Sequence, residues 1–171
     1  FQKSKGVLIL TAALELSTNQ VTHFYSKKKN TDEMIKLLDI LKAEYRHLDR
    51  IFLSWDAASW HVSQKLLEHI ELGNSCVGSS SGPKVEIAPL PAGAQFLNVI
   101  EAVFSGMSRA VIHNSNYASI DEAKAAIDRY FWERNENFKR HPKRAGNKIW
   151  GKEPEVTSFS EGNNCKDPRY R

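Results

Sequence analysis

The chain has 171 residues, of which 41% are hydrophobic and 26% are charged. This is the length of about one globular domain, and the composition excludes collagen-like, coiled-coil and disordered classes. No apolar run approaches the roughly 18 residues that a membrane-spanning helix needs. The two cysteines, Cys76 and Cys165, are too few for a disulfide framework and too far apart for a CxxC zinc site. We therefore expect a protein of the reducing cytoplasm.

The net charge of +4 lies in the C-terminal part of the chain. Residues 140–171 carry eight lysines and arginines against four acids. A basic segment of this kind suits a polyanionic partner such as nucleic acid, although a solvated tail has the same composition. The first residue is Phe1 and no signal-peptide pattern follows it. We expect the chain to begin inside a longer protein.

The N-terminal third predicts a β-hairpin followed by a helix. An apolar run at 6–14 and an alternating segment at 20–25 flank the turn sequence Ser17-Thr18-Asn19. Three lysines at 27–29 are typical of an exposed sheet edge. Asn30 and Glu33 then have the spacing of a capping box, which predicts an amphipathic helix over 31–46.

The remaining elements alternate between strands and helices. Strands are predicted at 50–55 and 84–90, and helices at 59–72, from Gln95 onward, and from the Ser119–Glu122 capping box to Lys139. The order β-β-α-β-α-β-α-α predicts an α/β fold, with a mixed sheet made of an antiparallel hairpin and βα units and with helices packed on it. In such sheets, sites form at the carboxyl ends of the parallel strands.

Asp56 follows the apolar strand 50–55 directly. A carboxylate at the end of a buried strand is costly unless it is solvated, bonded or bound to a cation. Two interpretations fit the position. Either Asp56 or Ser59 caps the next helix, or Asp56 binds a metal ion.

Glu101 lies early in an otherwise apolar helix. An acid near a positive helix N-terminus is favourable in itself. Its neighbours, however, include the apolar residues Leu97, Ile100 and Phe104. A carboxylate among apolar neighbours usually has a specific binding partner. Asn98 lies three residues earlier, on the same helical face.

Taken together, two segments resemble the mariner-related transposases of bacterial insertion sequences. The first is Leu53-Ser-Trp-Asp56-Ala-Ala-Ser-Trp-His61, and the second is Leu97-Asn98-Val99-Ile100-Glu101 after Pro89-Leu90-Pro91. In that family one acid follows a hydrophobic strand with a histidine five residues later, and another ends a Leu-Asn-Pro-Ile-Glu motif that opens a helix. The chain departs from the pattern at Ala57, Val99 and Phe104, where the family has Asn, Pro and Trp.

The resemblance implies an RNase H-like fold over residues 1–139, followed by a basic tail at 140–171. It implies that Asp56 and Glu101 are catalytic residues that bind Mg²⁺ or Mn²⁺, supported by His61 and Asn98. DNA would be the partner, held by Arg109, Lys143, Arg144, Lys148 and Trp150. The resemblance leaves room for a homodimer, and implies no membrane and no small-molecule cofactor. It places the protein in the bacterial cytoplasm, at the nucleoid.

The first acid of the family's DDE triad has no counterpart in this sequence. In the family it lies on a strand before the hairpin, whereas residues 1–5 contain no acid and Glu15 lies on the wrong strand. Either the first strand is missing from this chain, which the absence of an initiator methionine favours, or the protein is a catalytically incomplete relative. His61 also fits a hydrogen-bonded histidine in a first helical turn, and Trp60 fits ordinary packing.

The predicted function is that of the catalytic domain of a DNA transposase, which cuts and joins DNA strands with a divalent metal. Two alternatives remain: an inactive DNA-binding or assembly module derived from a transposase, and an unrelated metal-dependent nuclease of the same fold. For a metal site, the carboxylates of Asp56 and Glu101 should converge within roughly 4–8 Å.

Overall fold

The computed structural model describes residues 6–55, 58, 61–75, 82–88, 98–113 and 115–146. The strands are β1 (Ile9–Leu14), β2 (Val21–Ser26), β3 (Arg50–Leu53) and β4 (Lys84–Ile87). The helices are α1 (Thr31–Glu44), α2 (Gln64–Ser75), α3 (Val99–Met107) and α4 (Ile120–Arg140). A π-helical turn, Ser108–Ile112, continues α3. The predicted order of elements and the mixed α/β class are confirmed.

The two N-terminal strands form an antiparallel hairpin in which Leu14 lies opposite Val21. The turn closes through a bond from the Glu15 N–H to the Gln20 carbonyl, 2.9 Å long. Asn19 takes a φ of +60° there, a left-handed conformation that asparagine tolerates better than most residues. The guanidinium of Arg134 on α4 donates to the carbonyl and side-chain oxygens of Asn19. The hairpin turn is therefore fixed to α4.

The other two strands pair in parallel, with Ile51 opposite Val85. The Lys84 N–H donates to the Asp49 carbonyl at 3.0 Å, and the Ala88 N–H donates to the Leu53 carbonyl at 2.7 Å. Among the described residues the four strands thus form two separate two-stranded sheets, β1–β2 and β3–β4.

An asparagine side chain covers the outer edge of each strand pair. Asn135 on α4 accepts from the Val21 N–H and donates to the Val21 carbonyl, both at 2.9 Å. Asn74 on α2 makes the same two bonds with Val85, both at 2.8 Å. Each amide side chain therefore takes the place of a neighbouring strand at that position.

The apolar core has two clusters, one beside each strand pair. The first contains Val21, Val103, Ile127 and Phe131 and joins the hairpin to α3 and α4. The second contains Leu38, Leu66, Ile70 and Val85 and joins β4 to α1 and α2. Phe131 and Leu66, both fully buried, lie at the centres of the two clusters.

The prediction for the start of α2 is wrong, because the helix begins at Gln64 and not at residue 59. Ser63 is the residue that starts it. Its carbonyl accepts from the amides of Leu66 and Leu67 at 3.1 and 3.2 Å, and its hydroxyl accepts a bond from Thr31 at 2.9 Å. Strands β3 and β4 also end earlier than predicted, at Leu53 and Ile87. Within the described part of the chain, no helix is long and apolar enough to cross a bilayer.

Candidate functional site

Glu101 lies in the first turn of α3, with an exposed side chain. Its N–H donates to the carbonyl of Asn98, the N-cap of α3, at 3.1 Å. The sequence predicted a carboxylate embedded in apolar side chains. In the structure the first core residue of α3 is Val103, two positions further on. Glu101 is thus an accessible carboxylate near the positive end of a helix, where negative charge is favoured.

His61 lies in the connection between β3 and α2. Its N–H donates to the Ala58 carbonyl at 2.9 Å, and its ring lies over that of Trp55 with 5.6 Å between centroids and a tilt of 31°. The ring is half-buried. These contacts fix the position of the imidazole directly after the end of β3.

One cavity of about 720 Å³ is lined by three of the predicted site residues: His61, Asn98 and Glu101. The last residue described before Asp56, Trp55, also lines it. A pair of motifs about forty positions apart in sequence therefore reaches the wall of a single cavity. Asp56 itself lies outside the described residues, so its predicted distance from Glu101 stays a prediction.

The predicted DNA contacts lie elsewhere on the chain. Arg109 is exposed in the π-helical turn after α3, and Lys143 and Arg144 are exposed after α4. None of these three lines the cavity. Lys148 and Trp150 lie outside the described residues. The three described cations are accessible to a polyanion.

The donor types at the cavity suit a hard divalent cation. Mg²⁺ prefers carboxylate and carbonyl oxygens. Glu101 has a carboxylate, and Asn98, three residues earlier at the start of the same helix, has an amide carbonyl. Among the residues that the structure describes, no three His, Cys, Asp or Glu side chains form a metal-binding group. Asp56, the predicted partner of Glu101 at a metal ion, lies outside the described residues.

Two buried polar atoms on the cavity's lining residues were not foreseen from the sequence. Glu33 was interpreted as half of a capping box, and its N–H does donate to the Asn30 side chain at 3.2 Å. Among the residues that the structure describes, however, its buried Oε2 has no hydrogen-bond partner, and neither has the buried Nε1 of Trp55. Sequence offers no signal for this, since the capping role of Glu33 explains its position without the cavity.

At the turn end of β1, Glu15 and Tyr45 form a bonded pair that also lines the cavity. The Tyr45 hydroxyl donates to Glu15 at 3.0 Å, and the hydroxyls of Ser17 and Thr18 donate to the same carboxylate. Burial opposes ionisation of Glu15, but these hydrogen bonds outweigh it and hold its pKa below the usual value. Burial, together with the charges of Glu15 and Glu44, raises the pKa of Tyr45. Glu15 is therefore an anion at neutral pH.

The family model of the DDE superfamily endonucleases matches residues 2–124 of the chain, a stretch that includes both acid motifs. The comparison with curated proteins found no match.

Proposed function

The chain belongs to the DDE superfamily of endonucleases, and we propose that it is the catalytic domain of a DNA transposase like those of bacterial insertion sequences. It would cut DNA strands and join them to a target with Mg²⁺ or Mn²⁺. The observation that supports this is the shared cavity wall, where Glu101, Asn98 and His61 lie beside the end of β3. The second acid of the proposed site, Asp56, follows in sequence directly after Trp55, which lines that wall.

Each residue has a distinct proposed task. Asp56 and Glu101 hold the cation through carboxylate oxygens, and the backbone carbonyl of Asn98, which accepts from the Glu101 N–H, fixes Glu101 at the helix start. His61, held against Trp55, orients a phosphate or the attacking water. A bound divalent cation activates the attacking oxygen and stabilises the leaving oxygen of the scissile phosphate. DDE chemistry uses three acids, so full activity needs one carboxylate beyond these two.

Metal binding is tested by thermal melting of the full chain with and without millimolar Mn²⁺. An ion that binds only the folded state stabilises it by mass action, by about 1.4 kcal/mol at ten times its Kd. We expect a higher melting temperature for the parent protein, and no rise for Asp56→Ala or Glu101→Gln. The matched control is Glu133→Gln, an exposed acid on α4, which should keep the full rise. A rise that persists in Asp56→Ala shows that the ion binds elsewhere and contradicts the assignment.

DNA binding is tested by a salt titration. Each phosphate neutralised by Lys or Arg contributes about −0.9 to the slope of log K against log salt. Replacing Lys143, Arg144 and Lys148 by Gln should flatten that slope by roughly two to three units. Replacing Lys36, Lys65 and Lys84, which lie on α1, α2 and β4, is the control of equal charge. An equal flattening of the slope in both triple variants would show that the C-terminal cations contribute no more to DNA binding than other surface lysines.

Strand cleavage separates the enzyme from the inactive module. A longer polypeptide that supplies a third acid should nick DNA with Mg²⁺ or Mn²⁺ and transfer the cut strand. Asp56→Ala should abolish both reactions and leave DNA binding intact, because it removes a negative charge near the phosphates. Binding without nicking supports the inactive module. Nicking without strand transfer supports an unrelated nuclease of the same fold.

A further inference from the structure

The wall of the cavity contains positive as well as negative side chains. Of the described lysines and arginines, three line it: Lys28, Lys29 and Arg50. Arg50 lies at the start of β3 and forms an ion pair with Glu86 at 2.6 Å. The amines of Lys28 and Lys29 have no acidic partner among the described residues. These two ammonium groups are therefore open to a negatively charged ligand.

The run of three lysines at 27–29 was interpreted from sequence as protection of an exposed sheet edge. In the structure, β2 ends at Ser26, and the three lysines lie in the connection between β2 and α1. All three side chains are exposed. Lysines that protect an edge lie along the strand, where they obstruct pairing with another chain. Edge protection therefore does not account for the position of this run.

A contact at the start of α1 brings the lysine connection close to the candidate site. Thr31, the first residue of α1, donates to the Ser63 hydroxyl at 2.9 Å. Ser63 comes two residues after His61, and Thr31 comes two residues after Lys29. By chain length, the Cα atoms of Lys29 and His61 are thus no more than roughly 25 Å apart. This is the length of about seven nucleotides of one DNA strand, at about 3.4 Å each.

The acids that follow these lysines in sequence make other contacts. Asp32, in the first turn of α1, pairs with Lys65 of α2 at 2.5 Å. The Glu33 N–H donates to the Asn30 side chain, and Glu33 Oε2 is buried. The N-terminus of α1 itself has a partial positive charge, which favours a nearby anion. The connection between β2 and α1 therefore presents accessible positive charge at the cavity.

We propose that Lys28 and Lys29 bind backbone phosphates of the DNA strand that lies in the candidate site, within about seven nucleotides of the scissile phosphate. This inference rests on the proposed function, since it takes DNA as the substrate. The carboxylates that hold the cation repel DNA phosphates, and two ammonium groups on the same cavity wall offset that repulsion. Contacts to phosphate carry no sequence information, so these lysines hold the strand without selecting its sequence.

The first experiment measures the reactivity of each lysine in the parent protein. The full chain is acetylated with an amine-reactive reagent, alone and with a short DNA duplex, in low salt with Mg²⁺, and each lysine is quantified by mass spectrometry. With DNA at about ten times its Kd, acetylation of Lys28 and Lys29 should slow by up to about tenfold. Lys27 and Lys84, which are exposed and lie outside the cavity wall, should keep their reactivity. Equal protection of all four lysines would overturn the proposal.

The second experiment measures how DNA affinity depends on salt in matched double variants. Lys28→Gln with Lys29→Gln should flatten the slope of log K against log salt by about two units. Lys27→Gln with Lys84→Gln removes the same charge outside the cavity wall and should leave the slope unchanged. Lys28→Arg with Lys29→Arg keeps both charges and should retain the parent slope, which separates the effect of charge from a change in fold. Equal flattening in the two Gln variants contradicts the proposal.

These experiments distinguish failure of this inference from failure of the proposed function. If the chain binds DNA while Lys28 and Lys29 stay fully reactive, the inference is overturned and the proposed function stands. If the chain binds no DNA even at low salt, both are overturned. Protection of Lys28 and Lys29, together with a flatter slope in their Gln variant alone, supports both.

Discussion

Glu15 shows how one carboxylate ties the hairpin turn to α1, through its bond from Tyr45. Its pKa is lowered from 4.5, so it stabilises the fold above that pH, and this contribution is lost as the pH falls through its folded pKa. We predict that Glu15→Gln reduces the loss of unfolding free energy on acidification. The reduction should be about 1 kcal/mol or less, because the carboxylate is partly exposed. Urea unfolding at a series of pH values from 7 down to 2.5 measures it.

Two further variants calibrate that result. Tyr45→Phe removes one donor to Glu15 and should move the acid transition to higher pH. Glu133→Gln removes an exposed carboxylate on α4 and should leave the curve unchanged. A parent protein whose stability does not fall below pH 4.5 contradicts the role assigned to Glu15.

Residue identity was enough to predict that three residues share one cavity, and their role in catalysis stays a prediction. The motifs around His61, Asn98 and Glu101 predicted that these residues belong together, and they line one cavity. The exposure of Glu101 was not predicted, because a run of apolar neighbours does not state which of them face the core. The absence of described partners for the buried atoms of Glu33 and Trp55 depends on which elements pack around them, which local sequence does not encode.

The N-terminus of α4 is determined by local side-chain hydrogen bonds. Ser119 accepts from the Glu122 N–H at 3.1 Å, and Glu122 in turn accepts from the Ala118 N–H at 2.7 Å. We predict that Ser119→Ala lowers the free energy of unfolding by about 1 kcal/mol and that Ser119→Asp retains it. Chemical denaturation measures both. Ser105→Ala, at an exposed interior position of α3, is the control and should be neutral or slightly stabilising.

Caps at Asn30 and Ser119 were predicted from sequence and are confirmed by their side-chain bonds. The start of α2 was misplaced, because serine is a favourable N-cap residue and the sequence has one at both 59 and 63. In the structure the Ser63 hydroxyl accepts the capping bond from the Leu66 N–H at 3.4 Å and a second bond from Thr31. The π-helical turn after α3 carries no signal in residue type or spacing. It depends on how the end of α3 meets the rest of the chain.

At the scale of the whole molecule, one core cluster lies beside each strand pair, and the two clusters share no residue. We predict that Ile127→Val and Ile70→Val each cost about 0.5–1.5 kcal/mol and that their effects add within about 0.5 kcal/mol. Hydrogen exchange should quicken mainly in β1, β2 and α4 for the first variant, and in α2 and β4 for the second. Equal quickening throughout in both variants would contradict this, since it would indicate a single cooperative unit.

The asparagines on the outer edges also limit how copies of this protein aggregate. Fibrils grow when an exposed edge accepts a strand and presents a fresh edge to the next one. Here the outward backbone groups of Val21 and Val85 are already bonded to side chains, so neither is a template. A strand from another copy therefore finds no free backbone group to pair with at Val21 or Val85.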